Sequence, residues 1–442
     1  MKRIIASASM VALGAASLHA AYAPGLSPQE QSKPWSIGLS LRGFYDDNPT
    51  SSPNHPAPGS GFSGPEASWG IEVSPYVNIN MALDQTLISF NYTYDLRWFE
   101  NRPSDNNDQY HYITLGINHA FSERYVLDVK DSFTVGKDPT VNFDQNGAVT
   151  FLRTEGNYIN NVARVGFDAG LSEKFGLNVS YVNNIWDFSD TGPSSRSAFL
   201  DRMEQYPTVE AKYHFSPNTV GLIGAQFGSV AHTASAGSNP IIISDASGVF
   251  QAYADPDARD LWSLYGYVGV EQTFNPTLNA AVRLGVQYAS FDNVNDLGYY
   301  SNYAPGFAPN QDDTSTTPYA DASLTWTYNP GCALKVGVMY TRNQTDVASL
   351  DQQSAVGYVN LSHRLTAKLT ASLMGLIQNS EYFGGIYDGE ADLIYMAGAN
   401  LNYAFNQYLS TDVGYNFDRD DSDLPNRSYS RNRFYFGLRA NY

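Results

Sequence analysis

Apolar and polar residues alternate with a period of two along most of the chain. Between Trp35 and Tyr45 the apolar residues take the odd positions, and mostly polar or small residues take the even ones. The same alternation covers residues 279–288 and 392–405. Because successive side chains of a strand point to opposite faces, each run predicts a strand with one apolar face. The runs are about 10 to 14 residues long, roughly twice the usual globular strand, and this length is typical of strands that cross a bilayer.

Short turns of similar composition recur between these predicted strands. They combine Asn, Ser, Pro or Gly, which favour turn geometry, with a neighbouring aromatic residue that suits a membrane interface. We place eight of them, at residues 84–85, 120–123, 171–174, 214–218, 273–276, 327–331, 365–368 and 404–407.

Longer segments rich in Gly, Pro, Asp, Asn and Ser alternate with the short turns. Together the two kinds of connection predict an all-β fold, a transmembrane antiparallel up-and-down β-barrel of about 18 strands with short periplasmic turns and long extracellular loops. The alternation is irregular at 124–135 and 219–231, so a barrel of 16 strands is the alternative count. The nine loops are placed at 46–66, 100–109, 136–157, 187–202, 232–260, 292–318, 342–354, 381–391 and 419–431.

A soluble β-protein is the alternative, either a pair of β-sandwiches or a β-helix. A sandwich has strands of about five or six residues and loops of similar length at both ends. Strand length and loop asymmetry therefore favour the membrane barrel.

The amino terminus has the layout of a secretory signal peptide. Lys2 and Arg3 precede an uncharged, mainly apolar stretch from Ile4 to Ser17, and small residues suitable for cleavage follow at Ala20 and Ala23. A short core helix is the alternative. We expect a signal peptide at residues 1–23, cleaved after Ala20 or Ala23, a short periplasmic segment at 24–33 and a single barrel domain at 34–442.

Composition and charge narrow the class of protein further. Only 16% of the 442 residues are charged, while 14% are aromatic, against about 25% charged residues in soluble globular proteins. The formal net charge is -18, which argues against nucleic acid as a partner, since binding phosphate requires a basic surface.

Both ends of the barrel resemble known outer-membrane proteins. The chain ends on alternating apolar residues, Phe434, Phe436, Leu438, Ala440 and Tyr442. This resembles the terminal strand by which the barrel-assembly machinery recognises outer-membrane barrels, although Tyr442 stands where Phe is commoner. The segment 38–49, with its Tyr-Asp-Asp-Asn corner, resembles the opening strand of the putative β-barrel porins. The resemblance implies an outer-membrane pore, and it supplies no solute and no catalytic residue.

Charges on the parity opposite the apolar one are predicted to face the lumen. They amount to ten cations and eleven acids, so the lumen is expected to be close to neutral. We expect eight of them to line the passage, where they would set a transverse field and a size limit: Arg42, Glu72, Asp95, Arg97, Arg164, Glu210, Glu271 and Arg283. The nine loops hold 28 acidic and ten basic residues, which predicts an acidic extracellular vestibule that attracts cations; simple solvation of the loops is the alternative.

The loop at 232–260 is unusual because it contains Ile241-Ile242-Ile243 and Val249-Phe250. A solvated loop does not expose that much apolar area without a partner. It either folds inward to narrow the pore or packs on neighbouring loops as a small extra hairpin.

The sequence contains no recognisable catalytic or metal-binding arrangement. The histidines are scattered, and no nucleophile, base and orienting acid can be assembled. We therefore expect no enzyme activity, cofactor or metal, and predict a passive porin for small polar solutes. Expected partners are outer-membrane lipid, lipopolysaccharide and the barrel-assembly machinery, with a homo-oligomer left open. The alternative is a closed structural or surface barrel, or the outer-membrane part of a polysaccharide export system.

Overall fold

The computed structural model describes residues 34–58, 63–102, 106–137, 140–143, 149–152, 156–235, 237–244, 251–294 and 312–442. The predicted signal peptide and the segment 24–33 lie outside these residues and stay predictions.

Strands make up nearly all of the regular structure. In chain order they are β1 (Trp35–Asp46), β2 (Ser68–Ala82), β3 (Thr86–Phe99), β4 (Asn107–Ala120), β5 (Tyr125–Gly136), β6 (Thr140–Phe143), β7 (Val149–Leu152), β8 (Tyr158–Gly170), β9 (Phe175–Phe188), β10 (Arg202–Ser216), β11 (Thr219–His232), β12 (Ile241–Ser244), β13 (Gln251–Ala254), β14 (Leu261–Asn275), β15 (Leu278–Phe291), β16 (Thr314–Asn329), β17 (Cys332–Asn343), β18 (Asp351–Arg364), β19 (Leu369–Phe383), β20 (Ala391–Ala404), β21 (Leu409–Ser422) and β22 (Tyr429–Asn441).

Eighteen of these strands form one closed antiparallel sheet. Each pairs with the next along the chain, and β22 pairs back with β1, so that the sheet has no free edge. Both irregular stretches of the sequence are strands of this barrel, β5 and β11. The predicted barrel of 18 strands is therefore confirmed, and the count of 16 is excluded.

The remaining elements are short and belong to the long loops. The strands β6 and β7 form one two-stranded hairpin, and β12 and β13 form another. A five-residue helix, α1 (Arg196–Leu200), lies between β9 and β10. Short 3-10 turns occupy Pro256–Arg259 and Gly385–Tyr387. Among the described residues, no helix combines the length and apolar composition needed to cross a membrane.

The period of two decides which face of each strand points outward. On β22, Phe436 is 58% exposed whereas its neighbour Tyr435 is 6% exposed. On β1, the apolar residues from Trp35 to Leu41 are exposed, and Ser36, Ser40 and Arg42 are buried. The outer surface is thus apolar and the inner face is polar, which is the arrangement that a barrel in lipid requires.

The connections differ sharply between the two edges of the barrel. Tight turns lie at one edge, where the exposed rings of Phe121, Phe175, Phe215 and Phe274 stand beside them. Aromatic residues at this level suit the membrane interface. The long loops lie at the other edge, at the positions that the sequence predicts.

Candidate functional site

The lumen is the candidate site, because the closed sheet turns its polar face inward. A barrel of 8 strands is filled by its own side chains, whereas barrels of about 16 to 18 strands leave an aqueous channel. Two ion-pair networks lie on opposite walls, and described residues of several long loops pack together at one mouth.

One wall carries a buried ion-pair network, here called the seam cluster, which spans β1, β2, β3 and β21. Glu72 accepts from Arg42 Nη1 at 3.1 Å and from Arg97 Nε at 3.0 Å. Arg97 also pairs with Asp95 at 3.0 Å, and Arg42 pairs with Asp412 at 2.8 Å. Four of the eight predicted lining residues therefore meet in a single network, joined by Asp412.

Aromatic rings cover the cations of the seam cluster. The guanidinium of Arg97 lies 4.3 Å from the ring centroid of Tyr110, and that of Arg42 lies 4.8 Å from Tyr435. The attraction between a cation and a ring face is stronger when the cation is removed from water, so these rings stabilise the buried guanidinium groups. The side chain of Arg97 is only 1% exposed, so its charge is compensated within the wall.

A second set of contacts, here called the corner latch, joins the first and last strands at the long-loop edge. The carboxylate of Asp46 accepts from Arg431 Nη2 at 2.8 Å and from Arg433 Nε at 2.9 Å. The neighbouring Asp47 accepts from the backbone and side-chain amides of Asn432 at 2.6 and 2.7 Å. The Asp-Asp-Asn corner singled out in the sequence is thus a closure contact of the barrel.

The opposite wall carries the second network, here called the acidic wall. Its strands β14 and β15 lie nine and ten positions around the 18-stranded barrel from β1. Arg283 Nη2 pairs with Glu271 at 2.8 Å, and its Nε lies 3.8 Å from Glu210. Glu210 also accepts from the hydroxyl of Tyr267 at 2.7 Å.

Carboxylates outnumber cations on the acidic wall. Lys212 pairs with Asp168 at 2.8 Å, and Asp321 lies 3.7 Å from Arg283. The wall thus holds two cations, Lys212 and Arg283, against four carboxylates, Asp168, Glu210, Glu271 and Asp321. Arg164, the last predicted lining residue, lies in neither network and faces Lys130 across the β5–β8 register.

At the long-loop mouth, apolar residues from several loops pack together. Ala198 of α1, Ile241 of β12, Ala258 and Leu350 are all almost completely buried there. We call this group, with its neighbours, the mouth cluster. Its members are Ala198, Val230, Ile241, Ala258, Leu261, Phe291, Val294, Ala348 and Leu350.

The loop 232–260 contributes to this cluster in one of the two ways that the sequence allowed. It forms the hairpin β12–β13, and Ile241 is 0% exposed among residues of neighbouring loops. Val249 and Phe250 lie outside the described residues. The small extra hairpin is therefore present, whereas narrowing of the pore by this loop stays a prediction.

The seven-residue loop 344–350, between β17 and β18, contributes Ala348 and Leu350 to the mouth cluster. Six of its seven residues are buried, although it connects two strands at the long-loop edge. Arg259 donates to the carbonyl oxygens of Phe199 and Thr345. From the other side Arg427 pairs with Asp346 at 2.7 Å and with Asp392 at 2.8 Å. Two arginines from different loops therefore hold this loop in place.

The charge state of Arg427 is fixed by its surroundings. Burial by itself lowers the pKa of Arg427, but the charges of Asp346, Tyr382 and Asp392 outweigh it. The pKa of Arg427 therefore lies well above its usual value.

The predicted assembly residues lie on the outer face. Phe434, Phe436, Leu438 and Tyr442 are all exposed, and the ring of Tyr442 lies 6.0 Å from that of Trp35 on the first strand. Their recognition by the assembly machinery stays a prediction.

The sequence does not predict the pairing of several buried charged residues near the long-loop mouth. Arg259, Arg342, Asp346 and Arg427 stand in segments that read as solvated loops, and nothing in the sequence pairs them. Asp46 is different, because the Tyr-Asp-Asp-Asn corner marks it.

Part of the chain is similar to a known protein family. Residues 309–442 match the family model described as "Putative beta-barrel porin 2". No curated protein is similar enough to match. Similar solved structures include OpdK of Pseudomonas aeruginosa with vanillate (10% identity, TM-score 0.43) and a BenF-like porin of Pseudomonas fluorescens Pf-5 (12%, 0.44), each with 92% of this chain and 99% of the other covered. Residues 309–442, which include the last strands of the closed 18-stranded barrel, are therefore similar to the putative β-barrel porins.

Proposed function

We propose that the barrel is a passive porin through which small polar solutes diffuse. The observation that carries this proposal is the closed sheet of 18 strands with a polar inner face, which is too wide for its own side chains to fill. Polar solutes can exchange part of their hydration for hydrogen bonds to the polar inner face, whereas apolar solutes form no such hydrogen bonds.

Selectivity is proposed to arise from the acidic wall and from the loops. The seam cluster and the corner latch together hold four cations against five carboxylates, so their charges nearly balance and add little field to the passage. The acidic wall has two carboxylates more than cations, and Glu271 is 45% exposed. Together with an acidic extracellular vestibule, this excess supports a preference for cations.

A closed barrel with a structural or surface role, or in polysaccharide export, is the second candidate. The observation that favours it is the mouth cluster, in which residues of several long loops are buried against one another. Conductance separates the two candidates.

Purified protein in a planar bilayer is expected to give steady ohmic current steps, because an aqueous channel conducts ions down the applied field. Heat-unfolded protein at the same concentration serves as the control. A folded barrel that inserts without producing steps would support the closed barrel and contradict the porin.

The same bilayer under a salt gradient is expected to show cation selectivity. Replacing Glu271 by Gln should shift the reversal potential toward zero, because it removes an accessible charge from the acidic wall. Glu123→Gln, in an exposed tight turn, is the matched control and should change nothing. Anion selectivity of the unchanged protein would overturn the proposal of an acidic passage.

We further propose that the chain is exported by the signal peptide at 1–23, that 34–442 is a single barrel domain and that the strand ending at Tyr442 is recognised during assembly. The exposed apolar belt supports outer-membrane lipid and lipopolysaccharide as surroundings.

A further inference from the structure

A shallow apolar groove of about 1110 Å³ crosses the outer face of the barrel, over the seven consecutive strands β15 to β21. The cross-strand register places one row of its outward lining residues side by side, in the order Val282, Ala322, Val338, Gly357, Ile377, Tyr395 and Arg419. A second row runs parallel to the first, two residues nearer to the tight turns, and consists of Leu324, Val336, Val359, Gly375, Ala397 and Phe417.

The groove has the dimensions of one hydrocarbon chain. Two residues along a strand span about 7 Å, which sets its width, and six strand spacings give it a length of about 29 Å. It is also oblique, because Val282 lies four residues beyond Leu278, the first residue of β15, whereas Arg419 lies ten residues beyond Leu409, the first of β21. With strands tilted by about 40°, this difference raises the groove by about 15 Å toward the long loops. Half of a bilayer's hydrocarbon core is also about 15 Å thick, so the groove matches an acyl chain of one leaflet.

Small residues deepen the middle of the groove. Gly357 and Gly375 lie there on neighbouring strands, beside Val359 and Ile377, whose side chains are 40% and 48% exposed. In lipid, association is driven by close packing and not by the hydrophobic effect. A single chain in the groove contacts protein on more sides than a chain against a convex wall. The broad convex wall of a second barrel cannot enter a groove of this width.

A cation and an anion lie side by side at the upper end of the groove. Arg419 Nη2 pairs with Asp421 at 2.8 Å, and their side chains are 50% and 42% exposed. Both residues line the groove. An anionic headgroup would meet the carboxylate of Asp421, and a cationic one would meet the guanidinium of Arg419. A headgroup that carries a phosphate and an ammonium can place each charge against its opposite.

We propose that the groove binds a zwitterionic phospholipid, with one acyl chain along the two rows, the phosphate at Arg419 and the ammonium at Asp421. The site lies on the outer face, so it goes beyond the proposed porin function and does not depend on an open lumen.

The test is native mass spectrometry of the purified full-length barrel in detergent, equilibrated with equal amounts of phosphatidylethanolamine and phosphatidylglycerol. We expect one retained phosphatidylethanolamine per chain, favoured over phosphatidylglycerol about two- to fivefold, which is the effect of an ion pair at a wet surface. Asp421→Asn should reverse this preference toward the anionic lipid, since it removes the carboxylate and keeps the cation.

A second pair of variants tests the position of the acyl chain. Gly357→Leu should abolish retention, because the new side chain fills the middle of the groove. Gly43→Leu is the matched control, since Gly43 is an exposed glycine of β1 with open space around its Cβ position, and it should retain the lipid.

Equal retention of the two lipids, or an unchanged preference in Asp421→Asn, would overturn the proposal. Equal retention in Gly357→Leu and Gly43→Leu would do the same, and so would a barrel dimer in place of the lipid adduct. Asp421→Asn leaves the packing volume nearly unchanged, so it decides the matter even if Gly357→Leu does not fold. Retention is measured without any current, so its failure leaves the porin to the bilayer recordings.

Discussion

Replacing Asp46 by Ala is expected to destabilise the folded barrel by about 3 to 5 kcal/mol, the usual cost of removing one partner from a buried ion pair. Asp46 is 0% exposed and compensates both Arg431 and Arg433. Without it, two buried guanidinium groups keep their charge at the point where β1 meets β22. Urea unfolding in lipid vesicles, followed by tryptophan fluorescence, measures the change.

A matched control is available on the outer face. Asp421 pairs with Arg419 at 2.8 Å, but both side chains are largely exposed, so Asp421→Ala should change stability little because water screens the pair. If Asp46→Ala and Asp421→Ala shifted the unfolding midpoint equally, the corner latch would have no special role in closing the barrel.

The strands could be predicted from the sequence because lipid imposes a simple rule. Outward positions that contact lipid must be apolar, so the period of two persists along β1, β15 and β20 and fixes which side chains face inward. The loop boundaries follow, since each polar segment interrupts that rule. Parity alone predicts an inward position for Arg42, Glu72, Asp95 and Arg97; all four are buried in the seam cluster, and their lining of the passage stays a prediction.

The irregular strand β11 shows where the rule weakens. Its inward face contains Leu222 and Val230 as well as glycines, so the inner and outer faces of this strand differ little in polarity. Gly224 faces Tyr267 in the register, and a Cβ on Gly224 would lie 2.2 Å from that ring. The glycine therefore makes room for an aromatic ring of the lumen, a requirement that appears only once the neighbouring strand is in place.

The pairing of the inward charges could not be predicted, because it depends on how the barrel closes. Arg42 and Asp412 are 370 residues apart, and Asp46 and Arg431 are 385 apart. They meet because β22 returns to β1, and parity carries no information on that contact. A transverse field requires cations on one side of the passage and carboxylates on the other. In the structure, most of the predicted lining charges instead pair with an opposite charge on their own wall.

The loop 344–350 is the clearest case of a structure hidden from the sequence. Gln-Thr-Asp-Val-Ala-Ser-Leu has the composition of a solvated loop, yet Thr345, Ser349 and Leu350 are fully buried. The reason is tertiary, since neighbouring loops pack around it and two distant arginines bind it.

Replacing Arg427 by Gln is expected to raise the single-channel conductance about twofold or more, because a barrel of 18 strands conducts through whatever section its loops leave open. Arg427 holds Asp346 with two hydrogen bonds of 2.7 and 3.0 Å, and without them one side of the loop 344–350 loses its anchor. Arg196→Gln is the matched control, since Arg196 also lies in a long loop and pairs with Asp190 at 3.2 Å, but both side chains are exposed. Planar-bilayer recordings of the three proteins at one salt concentration decide the matter. Equal conductance in Arg427→Gln and the unchanged protein would show that the loop 344–350 does not limit the pore.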